Sequence, residues 1–122
     1  MPYKLTTTIE PEILRFLVEG VTSPDTVKSY LAEVLAEIKR TGAYRVMIVD
    51  NLHGQEIGIG AVTAIASNAI RQLLPHRHKV AYVELNPDHG DATKFGTLVA
   101  QNRGANIQFF RNPQDARAWL ME

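Results

Sequence analysis

RVMIVDNLHGQEIGIG, residues 45–60, is the stretch on which the fold turns. Val46, Met47, Ile48 and Val49 form an unbroken apolar run, which suits a central strand covered on both faces better than a half-exposed one. Polar residues begin at its end with Asp50, Asn51 and His53, and a glycine-flanked helix start follows at Gly58-Ile59-Gly60. In open sheets with parallel strands, ligands and partners meet the protein at the carboxyl ends of strands, where loops run into helix N-termini. The loop from Asp50 to Gly60 is therefore the default functional surface.

Working toward the N-terminus, Ser23-Pro24 opens a helix, since serine caps well and proline suits the first helical position. Val27, Tyr30, Leu31, Val34, Leu35 and Ile38 follow at spacings of three and four, and Gly42 ends the helix. Before it, residues 3–9 alternate in polarity and residues 13–19 resume the alternation after Glu10-Pro11-Glu12, which predicts an antiparallel hairpin whose first strand is a solvated edge. Toward the C-terminus, Val62, Ile65, Ala66, Ala69, Ile70 and Leu73 mark a second helix ended by Pro75. Its alanines permit close approach either to the sheet or to a neighbouring helix. Residues 80–85 form the next strand. Asp91 or a near neighbour caps a shorter helix bearing Phe95, Leu98 and Val99, and Gly104 ends it. Residues 107–110 form a last strand, and Asn112-Pro113 starts a closing helix with Ala116, Trp119 and Leu120 turned inward. The expected fold class is α/β: a mixed, mostly parallel five-stranded sheet with four helices, ordered β-β-α-β-α-β-α-β-α, in one unit spanning residues 1–122.

Composition narrows the function. Thirteen basic and thirteen acidic residues cancel, which removes any electrostatic argument for nucleic acid or an anionic membrane. There is no cysteine, so disulfides, thiolate metal sites and a cysteine nucleophile are excluded. No apolar run approaches the roughly 20 residues that span a bilayer, and MPYKLTTTIE lacks the apolar segment of a signal peptide. The expectation is a soluble cytoplasmic protein without integral membrane association.

Two passages, IVDNLHG at 48–54 and FFRNPQDARAWL at 109–120, together with the order of elements, resemble the STAS fold and, within it, the SpoIIAA-like group named after an anti-sigma-factor antagonist. The resemblance spans nearly the whole chain, chiefly as a pattern of elements. It implies a signalling module in which a serine at the start of the helix after the central strand is phosphorylated by a partner kinase. This sequence has Ile57, Gly58, Ile59 and Gly60 there, with no hydroxyl before Thr63. A phosphate brings roughly −1.5 to −2 charge, which the free N–H groups of a helix start hold well; one turn further in, at Thr63, that advantage fades. Thr63 is the first candidate if such a switch exists.

Asp50 reads as a general base or ligand-orienting carboxylate, or as a turn residue accepting backbone N–H bonds. His53-Gly54 and Asp88-His89-Gly90-Asp91 follow successive strands on the same topological edge, so Asp50, His53, Asp88 and His89 offer an acid, a base or an oxygen–nitrogen metal site if the loops meet. No recognised catalytic spacing accompanies them. His76 and His78 precede a strand whereas His53 and His89 follow strands, which sets the two pairs at opposite ends of the sheet. Gly58-Ile59-Gly60 reads as a close-approach surface for an anion, or as an apolar lip formed by Ile57 and Ile59. The leading reading is a non-catalytic binding or regulatory module that recognises a protein partner or a small apolar or anionic ligand through Asp50, Asn51, His53, Gly54, Ile57, Gly58, Ile59 and Gly60. The alternative is a small enzyme using the Asp and His residues of the 50–54 and 88–91 loops. No catalytic, metal or cofactor-binding set is assigned, and a homodimer is a third option.

Overall fold

The computed structural model describes residues 3–73 and 77–122. Strands β1 (Tyr3–Ile9) and β2 (Leu14–Val21) form the antiparallel hairpin, with Tyr3 opposite Gly20 and Ile9 opposite Leu14. Helix α1 (Pro24–Thr41), β3 (Arg45–His53), α2 (Ile59–Leu73), β4 (Lys79–Glu84), α3 (Asp91–Asn102), β5 (Asn106–Phe110) and α4 (Pro113–Leu120) follow. The sheet has the order β1-β2-β3-β4-β5, and every pairing after the hairpin is parallel. Each crossover steps in the same direction, so right-handed connections put α1, α2 and α3 on one face. Helix α4 packs on the other, against β3, β4 and β5. The Pro75 helix stop and His76 lie outside the described residues.

The run at 46–49 is buried from both sides. Val46 and Ile48 join Phe16, Tyr30 and Val34 in the core beneath α1, while Met47 and Val49 meet Ala81, Ala116 and Leu120 beneath α4. The caps are the expected ones. Ser23 accepts the Thr26 N–H at 3.0 Å, and Gly42, at φ +68°, donates to the Ile38 carbonyl at 2.9 Å. Asn112 accepts from the Asp115 N–H at 2.8 Å, ahead of Pro113.

Two expectations change. Strand β3 continues to His53, so Asp50, Asn51 and His53 belong to the strand and the loop begins only at Gly54. In α3 the buried residues are Ala92, Thr97 and Ala100, and Leu98 faces solvent. Reading large apolar residues as the inward stripe missed a face built from small ones. The cap falls within the expected range, on Gly90 next to Asp91, but Gly90 has no side chain to bond and Asp91 is the first helical residue.

Helix α2 sits differently from its neighbours. It packs on α3 and α1, and a cavity lies between it and the strands. Gly96 of α3 permits this seating, because a Cβ there would stand 3.0 Å from the Val62 Cγ1 of α2. The close approach to α3 thus rests on Gly96, while Ala66 and Ala69 of α2 line the space beneath the helix. Among the described side chains of its expected stripe, Ile70 is buried and Val62, Ile65, Ala66 and Ala69 are half-buried.

Candidate functional site: a cavity with an acidic end

A helix held off the sheet leaves space beneath it. A cavity of about 140 Å³ lies between α2 and the sheet, walled by α1 and α3. Most of its lining is apolar: Leu31, Val34, Ile48, Ile65, Val80 and Ile107 are representative. Its floor runs along β4 from Val80 through Tyr82 to Glu84, four steps of about 3.3 Å, or roughly 13 Å. The end at the carboxyl termini of the strands is polar, with Asp50, Tyr82, Glu84, His89 and Thr93.

The pleat explains who faces the cavity. Asp50 and Leu52 follow Val46 and Ile48 onto the three-helix face, and Asn51 and His53 follow Met47 and Val49 onto the other. Asp50 and Glu84 are register partners on adjacent strands and are 5% and 1% exposed. Asp50 Oδ2 accepts from the Tyr82 hydroxyl at 2.7 Å, and Oδ1 accepts from the Leu52 N–H at 3.1 Å. The Tyr82 hydrogen being committed to Asp50, the Tyr30 hydroxyl donates to the Tyr82 oxygen, with Asp50 Oδ2 as a second acceptor 3.4 Å away. Glu84 accepts from the Thr93 hydroxyl at 2.8 Å and from the Asn86 N–H at 3.3 Å.

Burial decides the protonation states. Desolvation pushes the Asp50 carboxyl above its ordinary value, against the hydrogen bonds from Tyr82 and Leu52 and the nearby His89 and Tyr30 that favour the anion. Glu84 is pushed up to about 8, by desolvation first and the neighbouring Asp50 second, with Thr93, Asn86 and Arg111 opposing. At neutral pH Glu84 therefore holds a proton that a solvated glutamic acid has lost. Burial beside these acids also holds the Tyr30 and Tyr82 phenols well above their usual range, so both remain donors.

The loops meet at this end. His89 is buried, and its Nε2 donates to the Gly54 carbonyl, joining the loops after β3 and β4. Glu56 reaches across to accept the Ala92 N–H, supplying the first turn of α3 with the acceptor that Gly90 lacks. Arg111 braces the 86–90 loop: its Nη1 donates to the Asn86 carbonyl at 3.0 Å and its guanidinium lies over the Phe109 ring at 5.2 Å. A Cβ at Gly90 would stand 2.1 Å from Arg111 Nη2.

Among the expected site residues, Asp50, Ile57 and His89 line the cavity. His53 and Asp88 are exposed and do not join Asp50 and His89, so the four-residue constellation does not form. Alternation along β3 turns His53 away, and Asp88 is held in a turn where its N–H donates to Asn86 Oδ1 at 2.9 Å. Asn51 faces the α4 side. Ile59 is 60% exposed and does not line the cavity. Gly58 and Gly60 are not sites of close approach, since a Cβ at either would meet nothing within 4 Å. Thr63 turns its hydroxyl back to the Ile59 carbonyl at 2.9 Å. His78 contacts the Ala43 carbonyl through Nδ1, at the other end of the sheet from His89. Among the described residues no three His, Asp or Glu side chains converge on a metal geometry, and no helix is long and apolar enough to cross a membrane.

Glu84, Tyr82 and Tyr30 were not expected. A signal for the first two lies in KVAYVE, residues 79–84, where Val80, Tyr82 and Glu84 share one face of an otherwise apolar strand. Read with the β3–β4 register, that alternation places Glu84 beside Asp50.

No family model matches this chain, and no curated protein does. Among solved structures, the NMR structure of the protein TM1081 is similar over 95% of this chain and 87% of that one, at 13% identity and a TM-score of 0.51. The likeness extends to the path of the backbone and stops there.

Proposed function

We propose that this protein is a non-catalytic binding module whose site is the cavity beneath α2, and that it takes up a small molecule with an apolar body and one polar end. The observation that carries this reading is the cavity itself: about 140 Å³, apolar along its length, with Asp50, Tyr82, Glu84 and His89 gathered at one end. An engineered dry cavity of about 150 Å³ holds a benzene-sized guest, so the volume suits a small ligand. A few polar groups at the end of an apolar pocket are the usual means of orienting one. Two acids at that end favour a hydrogen-bond donor over an anion, which supports the apolar rather than the anionic ligand.

The order of elements and the passages at 48–54 and 109–120 support placing the module in a STAS-like, SpoIIAA-like setting, and a chain without cysteine suits the cytoplasm. In that setting Thr63 is the candidate hydroxyl for a phospho-switch, although it is already bonded within its own helix. A protein partner at the carboxyl edge of the sheet is the second reading, favoured by Val21 and Ile59, which are 61% and 60% exposed.

Titrating 1-hexanol into ¹⁵N-labelled protein tests the cavity reading. Saturable shifts at Ile48, Val80 and Ile107 are expected, with affinity at least tenfold weaker in Ala69→Phe, whose ring would fill the space. Saturable binding that Ala69→Phe leaves unchanged would place the ligand elsewhere, and no saturable shift would refute the reading.

A further inference from the structure

We infer that the cavity selects ligands whose polar end is a primary ammonium group, so that its natural ligand is a small apolar amine; this rests on the cavity reading above. Asp50 and Glu84 are deeply buried neighbours, yet among the described residues every hydrogen bond to them comes from a neutral donor: Tyr82, Tyr30 and Leu52 for Asp50, Thr93 and Asn86 for Glu84. The ion pairs among the described residues, Arg40–Glu37 and Arg117–Glu10, lie at the surface and involve neither acid. A buried carboxylate is ordinarily paired with a cation. Here two carboxyls share one end of a cavity with no lysine or arginine among the lining residues.

The oxygens retain capacity. A carboxylate offers about four acceptor sites, and Glu84 uses two. An ammonium group presents three donors from a compact centre. Placed between Asp50 and Glu84 it would let both acids ionise side by side and satisfy acceptors that an alcohol, with one donor, leaves open. A carboxylate ligand would add a third acid to the pair. The apolar remainder of the ligand would lie along Tyr82 and Val80 toward Ile107.

Protonation follows from the same contacts. The charged or titratable groups around Glu84 are Asp50 on β3, Tyr82 on β4, Tyr30 on α1, His89 and Glu56 on the flanking loops, and Arg111 after β5. Glu84 holds its proton up to about pH 8. An arriving ammonium therefore displaces that proton, and amine binding strengthens as pH rises from 6 toward 8.

Isothermal titration of the full chain with hexylamine, 1-hexanol and hexanoate, in two buffers of different ionisation enthalpy, tests the inference. Hexylamine is expected to bind at least tenfold more tightly than 1-hexanol at pH 7.5 and to release a proton, with hexanoate weakest. In Glu84→Gln the preference for amine over alcohol is expected to fall below threefold, with thermal melting reporting that the variant is folded. If Glu84→Gln does not fold, the pH dependence of hexylamine affinity in the native chain decides, and a flat profile from pH 6 to 8 overturns the inference. Hexanol or hexanoate binding as tightly as hexylamine overturns it while leaving the cavity reading intact. Binding by none of the three overturns both.

Discussion

Replacing Glu84 by glutamine should change how the stability of this protein depends on pH, by an amount that follows from the burial of one side chain. The folded chain holds the Glu84 proton up to about pH 8, against an ordinary value of 4.5. Between those values the native state binds a proton that the unfolded chain has released, so stability falls as pH rises. The contribution is fully present below about pH 4.5 and lost through pH 8. At roughly 1.4 kcal/mol per pH unit, the loss across the window is on the order of 3 to 5 kcal/mol. Glutamine has no such proton, and its carbonyl still accepts from Thr93, while its amide nitrogen replaces the oxygen that accepts from Asn86. The substitution should therefore be destabilising at pH 5 and become relatively favourable by pH 9. Asp50, also raised by burial, titrates in both proteins, so the difference between them reports chiefly on Glu84. Urea unfolding of both proteins from pH 5 to pH 9 measures it. A stability difference that stays constant within about 0.5 kcal/mol over that range would refute the reasoning.

Three further outcomes follow from particular contacts. Tyr82→Phe takes from Asp50 its closest side-chain donor and should cost on the order of 1.5 to 3 kcal/mol, read by urea unfolding at pH 7; a loss below about 0.5 kcal/mol would contradict the network. Gly96→Ala drives a methyl against Val62, which has the cavity to retreat into; its stability should stay within about 1 kcal/mol of the parent because alanine is the better helix former, while 1-hexanol binds more weakly. Unchanged 1-hexanol affinity would show that Val62 does not retreat into the site. Ser23→Ala removes the α1 cap and should cost about 1 kcal/mol without altering hexanol affinity, and an altered affinity would mean that α1 is coupled to the site in a way its cap does not explain.

Much of the architecture was legible because it rests on local chemistry. Ser23-Pro24 and Asn112-Pro113 start helices for reasons contained in those dipeptides, and Gly42 ends one by accepting a left-handed backbone. The run at 46–49 announced a strand buried from two sides. Asp50 was legible as a candidate because polarity at the end of such a strand is conspicuous. Its surroundings were not. Whether His53 accompanies Asp50 depends on whether the strand continues past Asp50, and three further residues of pairing put them on opposite faces. Glu84 becomes a neighbour of Asp50 only through the register of β3 and β4. The cavity was further from view, since it arises from the height at which α2 rides on Gly96 and the small residues of α3. A stripe of alanines allows either close seating on the sheet or close seating on a helix, and only the packed structure distinguishes them.

The proposed site seats a small molecule between α2 and the sheet. Isotope-filtered NOE spectroscopy on methyl-labelled protein saturated with 1-hexanol tests it most directly. The account predicts contacts from the bound alkyl chain to the methyls of Val34, Ile48, Val80 and Ile107, which line the cavity. Contacts confined to Ile59 and Leu98, which face solvent, would contradict it.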